Sequence, residues 1–357
     1  MPKLTLVADP TPINVVIVTL DSHLAGAVER ARPALQKEIP GLSLKLHAAA
    51  EWNDAPEGLD RCGDAAALGN PCDGCPGNGS CSLQRARDDI AQGDIIIATM
   101  LFMENQVRAV LPALQARRDH CDAMIGAMSA GEVMRLTRMG KFAMDGSQSG
   151  PMALLKKLRG SKKDKDGQNK TNGARQMAML KRIPKILRFI PGTAQDVRAY
   201  FLMLQYWFAG SDENMGNMIR DLVNRYADGP RAGLRGTLKS ASPQDYPEVG
   251  VYHPRMKGRI SARANQLPDV RQAKGTVGLL VMRSYVLAGN SGHYDGVIEA
   301  LESRGLRVIT AFASGLDARP AIEQYFMKDG KSCIDAMVSL TGFSLVGGPA
   351  YNDSASA

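Results

Sequence analysis

The stretch Val277-Gly-Leu-Leu-Val-Met282 decides the fold, because it is an apolar run of strand length that is followed by a helical pattern. The alternation continues with apolar runs over Leu306 to Phe312 and over Ile334 to Leu340, with a second helical pattern between them. Gly305 stands just past the first helical pattern, where a glycine commonly ends a helix. Strands that alternate with helices form a parallel sheet with right-handed crossovers. We therefore predict an α/β class protein with a βαβ parallel-sheet unit over residues 276–357.

The first part of the chain shows the same alternation, which predicts another sheet with helices on both faces. The predicted strands span residues 14–20, 42–46, 94–99 and 123–127, and the last of the intervening helical patterns runs through Met144. We therefore predict a flavodoxin-like N-terminal parallel-sheet domain over residues 14–150, after a leader at residues 1–13.

The region between the two sheets is predicted to be a linker followed by helices. Residues 151–178 are basic and lack periodicity, which is typical of a flexible linker. A body domain is predicted over residues 179–357, with a helical stretch at 193–227 and a loop-rich stretch at 228–274. The chain ends soon after its last predicted strand, so we expect a truncated domain and a longer natural polypeptide.

The formal net charge of +8 raises the question of nucleic acid binding. Most of the excess lies between Lys156 and Arg188, where there are twelve Lys or Arg and two acidic residues. This segment lacks interleaved aromatic residues for base stacking, so a solvated linker is favoured and no nucleic acid partner is expected. There is no signal peptide and no apolar run of about 20 residues, which predicts a cytoplasmic protein without a transmembrane segment.

Four cysteines lie within twenty residues, in a loop that is rich in glycine and proline. They are Cys62, Cys72, Cys75 and Cys81, with the spacing C-x₉-C-x₂-C-x₅-C. Thiolates are soft ligands, so the pattern favours a [4Fe–4S] cluster, with zinc or no metal as the alternatives. The usual zinc spacing of two Cys-x₂-Cys pairs is not met. Cys121 and Cys333 lie next to predicted strands and are expected to be buried thiols.

Several stretches carry a resemblance to a known family. They are Asp94–Glu104 with Val107–Leu114, Met128–Phe142, the loop Tyr246–Pro254, and Gly278–Tyr351 with its motifs Arg283-Ser-Tyr, Gly289-Asn-Ser-Gly-His293, Phe312-Ala-Ser-Gly-Leu-Asp317 and Leu340-Thr-Gly-Phe-Ser-Leu-Val-Gly-Gly-Pro349. These stretches resemble the N-terminal part of the magnesium chelatase large subunit, which is called the H subunit. Gly278–Tyr351 is also similar to the large subunit of cobaltochelatase, whereas residues 94–142 are similar to a part that is peculiar to the magnesium enzyme.

The resemblance implies a subunit of a ligase that forms nitrogen–metal bonds. Its substrates would be protoporphyrin IX and Mg²⁺, and the ATP-dependent insertion would serve chlorophyll and bacteriochlorophyll biosynthesis. Two partners are implied, an AAA+ ATPase subunit that binds ATP-Mg²⁺ and a bridging subunit. A cytoplasmic location that allows peripheral contact with a photosynthetic membrane is also implied. This chain has no Walker A motif, and on its own it is expected to be inactive.

Three alternatives stay open at this point. The first is a cobaltochelatase large subunit that acts on a corrin precursor. The second is a non-catalytic protein that binds or carries tetrapyrroles and has a regulatory role. The third is a redox sensor that holds an iron–sulfur cluster.

Ligands of open parallel sheets bind at the carboxyl ends of the strands. In the second predicted sheet these ends are followed by the loops Arg283–Gly292, Ala313–Asp317 and Thr341–Tyr351, which we expect to converge. Each loop contains glycine or serine, as loops around a ligand often do. His253 lies outside these loops, and we expect it to be a structural hydrogen-bonding group.

The substrate-binding candidates come from the first of these loops. They are Arg283, Tyr285, Asn290, Ser291 and His293. An arginine near a helix N-terminus suits a carboxylate, so a porphyrin propionate is predicted to bind Arg283 and the turn at Ser291. His293 is the candidate base or ligand. The alternative is that Ser291 caps the helix and Arg283 forms a surface ion pair. No catalytic residue is identified.

Overall fold

The computed structural model describes residues 11–20, 22–53, 82–144 and 181–347. The chain divides into two compact units. Unit 1 comprises Met1–Phe208 and Asp212–Pro243, and unit 2 comprises Ala209–Ser211 and Gln244–Ala357. The predicted linker at residues 151–178 lies outside the described residues.

Unit 1 contains a sheet whose central strands are buried along their whole length. The strands are β1 (Ile13–Thr19), β2 (Leu42–Ala48), β3 (Ile95–Thr99), β4 (Ala123–Ala127), β5 (Arg138–Met139) and β6 (Phe142–Ala143). Their order is β2-β1-β3-β4-β5-β6, with the first four parallel and the last two antiparallel. Burial on both faces explains why β3 and β4 are unbroken apolar runs in the sequence.

Helices cover this sheet. They are α1 (Ala25–Glu38), α2 (Ser82–Gln92), α3 (Glu104–Arg117), α4 (Gly131–Met134), α5 (Thr193–Phe208) and α6 (Asp212–Tyr226). On one face, Val16 and Ile96 pack in a core cluster with Ile90 of α2 and Val110 of α3. The helix α1 packs against α6 and is joined to it by two exposed ion pairs.

The prediction of a helix that runs through Met144 is wrong. The structure ends α4 at Met134 and continues as the β5–β6 hairpin, whose turn contains Gly140 with a φ of +58°. The Thr137 hydroxyl bonds to both the N–H and the C=O of Gly126, at 3.0 and 3.1 Å. These bonds hold the chain in extended form beside β4. The pattern of apolar residues here fits neither a helix nor a strand clearly, so the sequence does not reveal the hairpin.

The helical stretch predicted at residues 193–227 is present as α5 and α6, but it packs in unit 1. The buried Tyr200 hydroxyl of α5 donates a hydrogen bond to the carbonyl of Gly126 in β4, at 3.2 Å. The carboxylate of Asp196 accepts a bond from the N–H of Lys141 in the hairpin. The two helices therefore complete the first core, although the sequence pattern suggested that they belong to the second domain.

Unit 2 contains a mixed sheet and a small hairpin. The strands are β7 (Val249–Tyr252), β8 (Ile260–Ser261), β9 (Thr276–Leu280), β10 (Arg307–Ala313), β11 (Met327–Lys328), β12 (Lys331–Ser332) and β13 (Ala336–Ser339). The sheet order is β13-β9-β10-β7-β8, in which the first three strands are parallel. The β7 and β8 strands are antiparallel additions, and β11 pairs with β12 separately.

The parallel core of unit 2 matches the predicted apolar runs, and its helices lie between the strands in sequence. They are α7 (Arg283–Leu287), α8 (Gly292–Glu302) and α9 (Arg319–Tyr325). The strands β7 and β8 lie in the stretch that was predicted to be loop-rich. In β7, a Cβ atom on Gly250 would lie 2.5 Å from a ring carbon of Phe312, so only glycine allows this close approach.

Candidate functional site

The carboxyl ends of three parallel strands of unit 2 border a small, open apolar cleft, whose enclosed volume is only about 10 Å³. Met282 follows β9, Leu316 follows β10 and Thr341 follows β13, so the wall includes residues of the predicted loops Ala313–Asp317 and Thr341–Tyr351 but none of the predicted loop Arg283–Gly292. The N–H of Ala318 donates to the carbonyl of Leu345 at 2.9 Å, which ties the last two loops together. The cleft is the concave surface that this sheet edge offers to a ligand.

Arg283 lies at the start of α7, and its guanidinium is already hydrogen-bonded to backbone carbonyls of the protein. Its guanidinium donates to the carbonyls of Pro247 at 2.9 Å and Tyr246 at 3.3 Å. Burial lowers the pKa of Arg283, and the nearby carboxylates of Glu248 and Asp245 oppose this shift. The side chain therefore anchors the 245–248 loop, and a carboxylate ligand would compete with those carbonyls and acids.

Ser291 lies at the N-terminus of α8 and is also engaged. It is 2% exposed, and its hydroxyl lies 2.8 Å from the Tyr252 hydroxyl and 3.2 Å from an Arg259 nitrogen. Tyr252 also donates to Asp295 at 2.5 Å, and Arg259 donates to the other Asp295 oxygen at 2.8 Å. Burial, with the Asp295 carboxylate, raises the pKa of Tyr252 to about 12.

This network places a negative charge at the α8 N-terminus, where an anionic ligand would otherwise bind. Asp295 lies in the first turn of α8, where a carboxylate is stabilised by the helix dipole, and Arg259 neutralises it. Sequence analysis did not identify Tyr252, Arg259 or Asp295. They are 32 to 43 residues from their partners across the network, and no local spacing links such distant residues.

The remaining candidates lie on the surface near the same helix. The His293 ring is exposed, and its centroid lies 3.8 Å from that of Tyr294 and 5.8 Å from that of Tyr285. Asn290 is exposed, and its N–H donates to the carbonyl of Tyr285. The structure thus brings Tyr285 and His293 together, and it engages Arg283 and Ser291 in separate contacts. Whether these residues bind substrate stays a prediction.

Two family models match this chain. The first has the description "Domain of unknown function (DUF3479)" and matches residues 14–71 and 77–201, and the second, "CobN/Magnesium Chelatase", matches residues 204–357. The magnesium chelatase H subunit of Cereibacter sphaeroides is 49% identical over 341 residues, which cover 96% of this chain and 26% of that protein. The chain belongs to the magnesium chelatase H subunit family.

Other comparisons span a wider range of similarity. The chloroplastic ChlH subunit of magnesium chelatase from Oryza sativa subsp. indica is 33% identical over 285 residues, covering 74% of this chain and 20% of that protein. The catalytic subunit of cobaltochelatase from Mycobacterium tuberculosis is 14% identical with a TM-score of 0.40, over 92% of this chain and 18% of that chain. The chain spans about a quarter of the length of the bacterial H subunits it matches.

The four cysteines of the Gly- and Pro-rich loop were predicted to bind a metal ion or an iron–sulfur cluster. Cys62, Cys72, Cys75 and Cys81 lie outside the described residues. Within residues 11–20, 22–53, 82–144 and 181–347, no cluster of three or more His, Cys, Asp or Glu could hold a metal ion.

The two other cysteines differ from each other. Cys121 is buried as predicted, and burial raises the pKa of its thiol. Cys333 is exposed, so the prediction of a buried thiol is wrong there. It follows the edge hairpin β11–β12, which leaves it open to solvent.

The predicted structural role of His253 agrees with its contacts. It is 1% exposed, and its Nε2 lies 3.2 Å from Glu302, while its Nδ1 accepts a bond from the N–H of Arg255. Burial lowers the pKa of His253, with Glu302 opposing the shift. In the part of the chain that the structure describes, no helix is long and apolar enough to cross a membrane.

Proposed function

We propose that the polypeptide to which this chain belongs is the porphyrin-binding subunit of magnesium chelatase. It inserts Mg²⁺ into protoporphyrin IX in (bacterio)chlorophyll biosynthesis, and an AAA+ ATPase subunit and a bridging subunit couple the insertion to ATP hydrolysis. The observation that carries this proposal is the 49% identity to a magnesium chelatase H subunit over 96% of the chain. The enzyme acts in the cytoplasm.

The apolar cleft of unit 2 is our proposed contact for the macrocycle. A porphyrin is a flat apolar ring, and the cleft presents Met282 and the 44% exposed Leu316 over the buried ring of Phe312. Its enclosed volume of about 10 Å³ is far below the range of about 300–1,000 Å³ that is common for small-molecule pockets. The cleft therefore receives one edge of the ring, and other parts of the full polypeptide supply the rest of the site.

The predicted substrate-binding residues do not line this cleft, so any contact they make with substrate is a separate one. Tyr285 and His293 form an aromatic contact beside α7 and α8, where a ring edge can pack against them. Arg283 and Ser291 are held by protein groups, so a propionate there requires these bonds to be exchanged. Asn290 is exposed and free to reorient toward a polar substituent.

A matched pair of variants tests the cleft in the full-length polypeptide. Leu316→Asp places a charge on its wall, and Met327→Asp makes the same kind of change at an exposed site on β11. Quenching of protein fluorescence by protoporphyrin IX should give a Kd at least tenfold higher for Leu316→Asp and an unchanged Kd for Met327→Asp. Equal affinities would remove the cleft from the site. A preference of the wild-type polypeptide for a corrin precursor would instead favour a cobaltochelatase.

Two finer assignments belong to the same proposal. Unit 1 shares the order β2-β1-β3-β4 of parallel strands with flavodoxin-like folds, and the β5–β6 hairpin takes the place of a fifth parallel strand. The cysteine loop binds a [4Fe–4S] cluster or zinc, a proposal that the sequence spacing alone supports. Iron, sulfide and zinc analysis of anaerobically purified polypeptide tests it, and the absence of all three would refute it.

A further inference from the structure

The strand β13 forms one end of the unit 2 sheet, and all four of its residues are exposed. It pairs in parallel with β9 along its whole length. Met337 and Val338, which lie on opposite faces of the strand, are 41% and 37% exposed. In the part of the chain that the structure describes, no strand lies beyond β13. The strand therefore presents an open backbone edge together with apolar side chains on both faces.

Unit 1 shows what surrounds the equivalent strand of the same winding. The parallel order is β2-β1-β3-β4 in unit 1 and β10-β9-β13 in unit 2, so in each unit the third parallel strand along the chain lies beside the first. The strand β13 thus corresponds to β3. The strand β3 is buried along its whole length, because β4 pairs with its other side and helices pack on its faces. Among the described residues of unit 2, β13 has no counterpart of β4.

The composition of β13 is that of an internal strand. Ala336–Ser339 contains no charged residue and no proline, and these are the usual features that keep an exposed strand edge from pairing. The opposite end of the same sheet differs, because β8 has only two residues and follows the charged Arg259. The sheet therefore has one protected edge at β8 and one edge at β13 that is suited to pairing.

We propose that β13 pairs with a further parallel strand, which is supplied by the region of the full-length polypeptide that follows this chain. This inference rests on the proposal that the chain is part of a magnesium chelatase H subunit. The chain covers 26% of the H subunit of Cereibacter sphaeroides, so about three quarters of such a polypeptide lies outside it. A right-handed crossover through a helix brings the next strand to this position, as α3 does between β3 and β4.

The added strand also gives the apolar cleft of unit 2 a further wall. Met282 follows β9 and Thr341 follows β13, and both residues line the cleft. In an order such as β10-β9-β13, the winding changes direction between β9 and β13, and ligands of open α/β sheets bind at such a point. The loop after the added strand lies next to Thr341. The cleft is therefore deeper in the full-length polypeptide than in this chain.

A second copy of the chain fits the edge less well. A copy related by a twofold axis would pair β13 with itself in antiparallel orientation, through a strand of only four residues. A contact of that size is far smaller than the interface that a stable dimer needs. A strand of the same polypeptide needs no such area, because the covalent link keeps its effective concentration high.

Hydrogen exchange of the full-length polypeptide, resolved to single amides by mass spectrometry, tests the pairing. The N–H of Asp335 donates to the carbonyl of Thr276 just before β9, so the alternation along a strand directs the N–H groups of Ala336 and Val338 to the open edge. We expect both amides to exchange at least about a hundredfold more slowly than an unprotected amide. Exchange of these two amides at the unprotected rate would overturn the proposal.

A matched pair of variants separates strand pairing from mere coverage of the edge. Val338→Pro removes the outward N–H, whereas Val338→Thr keeps it together with a β-branched side chain. Proline is tolerated at an open edge but not inside a sheet. We expect Val338→Pro to speed exchange of the Ala336 amide at least about tenfold, and we expect Val338→Thr to leave it unchanged. Equal exchange in the two variants would refute pairing, and the wild-type rates decide the matter if Val338→Pro fails to fold.

Two further measurements assign the protection to its source. Slow exchange that disappears on dilution, together with a dimer in sedimentation, would give the edge to a second copy and overturn the proposal. Quenching by protoporphyrin IX on the same preparation keeps the proposed function apart. Fast exchange with intact porphyrin binding refutes the pairing alone, and slow exchange without porphyrin binding supports the pairing and refutes the proposed function.

Discussion

Arg231 closes a buried charge cluster in unit 1, and its removal should cost about 3 kcal/mol of stability. Its guanidinium forms two bonds to Asp122, at 2.8 and 2.9 Å, and lies 3.2 Å from Asp94. The two carboxylate side chains are only 6% and 7% exposed. In the Arg231→Ala variant both would keep their negative charge in a site that excludes water.

The magnitude follows from the partners that remain. Asp94 keeps the N–H of Asn14 at 2.8 Å and Arg117 at 3.5 Å, and Asp122 keeps the N–H of Asp228 at 2.9 Å. Breaking a buried ion pair by removing one partner costs about 3–5 kcal/mol, and the residual bonds place this case at the lower end. The matched control is Arg108→Ala, because Arg108 pairs with Glu104 on an exposed helix face and should cost well under about 1 kcal/mol.

The loss should depend on pH in a defined direction. Burial raises the pKa of Asp94, and the charge of Arg231 opposes that shift. A carboxyl group with a raised pKa in the folded state stabilises the fold at low pH, and this contribution is lost as pH rises through the folded pKa. Without Arg231 the pKa of Asp94 rises further. The deficit of Arg231→Ala should therefore be largest near pH 7 and shrink toward about pH 4, where the carboxyl group of Asp94 gains a proton.

Urea unfolding followed by tryptophan fluorescence measures this directly. The chain has two tryptophans, Trp52 and Trp207, and both lie in unit 1, so the signal reports that unit. The reasoning fails if Arg231→Ala loses no more free energy of unfolding than Arg108→Ala. It also fails if the difference between variant and wild type is the same at both pH values.

Three further predictions concern unit 2 and the thiols. Gly250→Ala should lower the free energy of unfolding of unit 2 by about 1–3 kcal/mol, because the new Cβ meets an aromatic ring at 2.5 Å. Gly296→Ala, which lies in open space on α8, should instead raise the free energy of unfolding by about 0.5–1 kcal/mol. Thermal unfolding followed by circular dichroism compares the two variants. Tyr252→Phe should cost about 1–3 kcal/mol by the same measurement, since it leaves buried polar partners unsatisfied. Brief iodoacetamide treatment of the native chain followed by peptide mass mapping should label Cys333 and spare Cys121, and labelling of both at equal rates would contradict the assigned burial.

The strands that are covered on both faces could be predicted from the sequence to within a residue or two. β3 and β4 are continuous apolar runs, and such runs have few alternatives to a central strand. β7 could not be predicted, because it has four residues, contains Gly250 and follows Pro247. Short strands at the side of a sheet are defined by the strand they pair with, and that partner, β10, is more than fifty residues away.

The position of a helix in the fold was harder to predict than the helix itself. The apolar face of α5 is evident from its periodicity, but periodicity does not say which sheet the face covers. The contact that decides this is the bond from Tyr200 to the carbonyl of Gly126, and a backbone carbonyl has no signature in the sequence. The same reason hid the partners of Arg283, which are the carbonyls of Pro247 and Tyr246.

Under the proposed function, the hydrogen bonds that already satisfy the α8 N-terminus constrain how a tetrapyrrole would bind to unit 2. A propionate at Ser291 would have to separate Arg259 from Asp295, which already pair at 2.8 Å beside a tyrosine. The apolar cleft at Leu316 has no such competition, because burial of a ring edge there displaces only water. If unit 2 takes part in binding, its contribution should therefore come from the macrocycle, and esterified protoporphyrin without free propionates should lose little affinity for it.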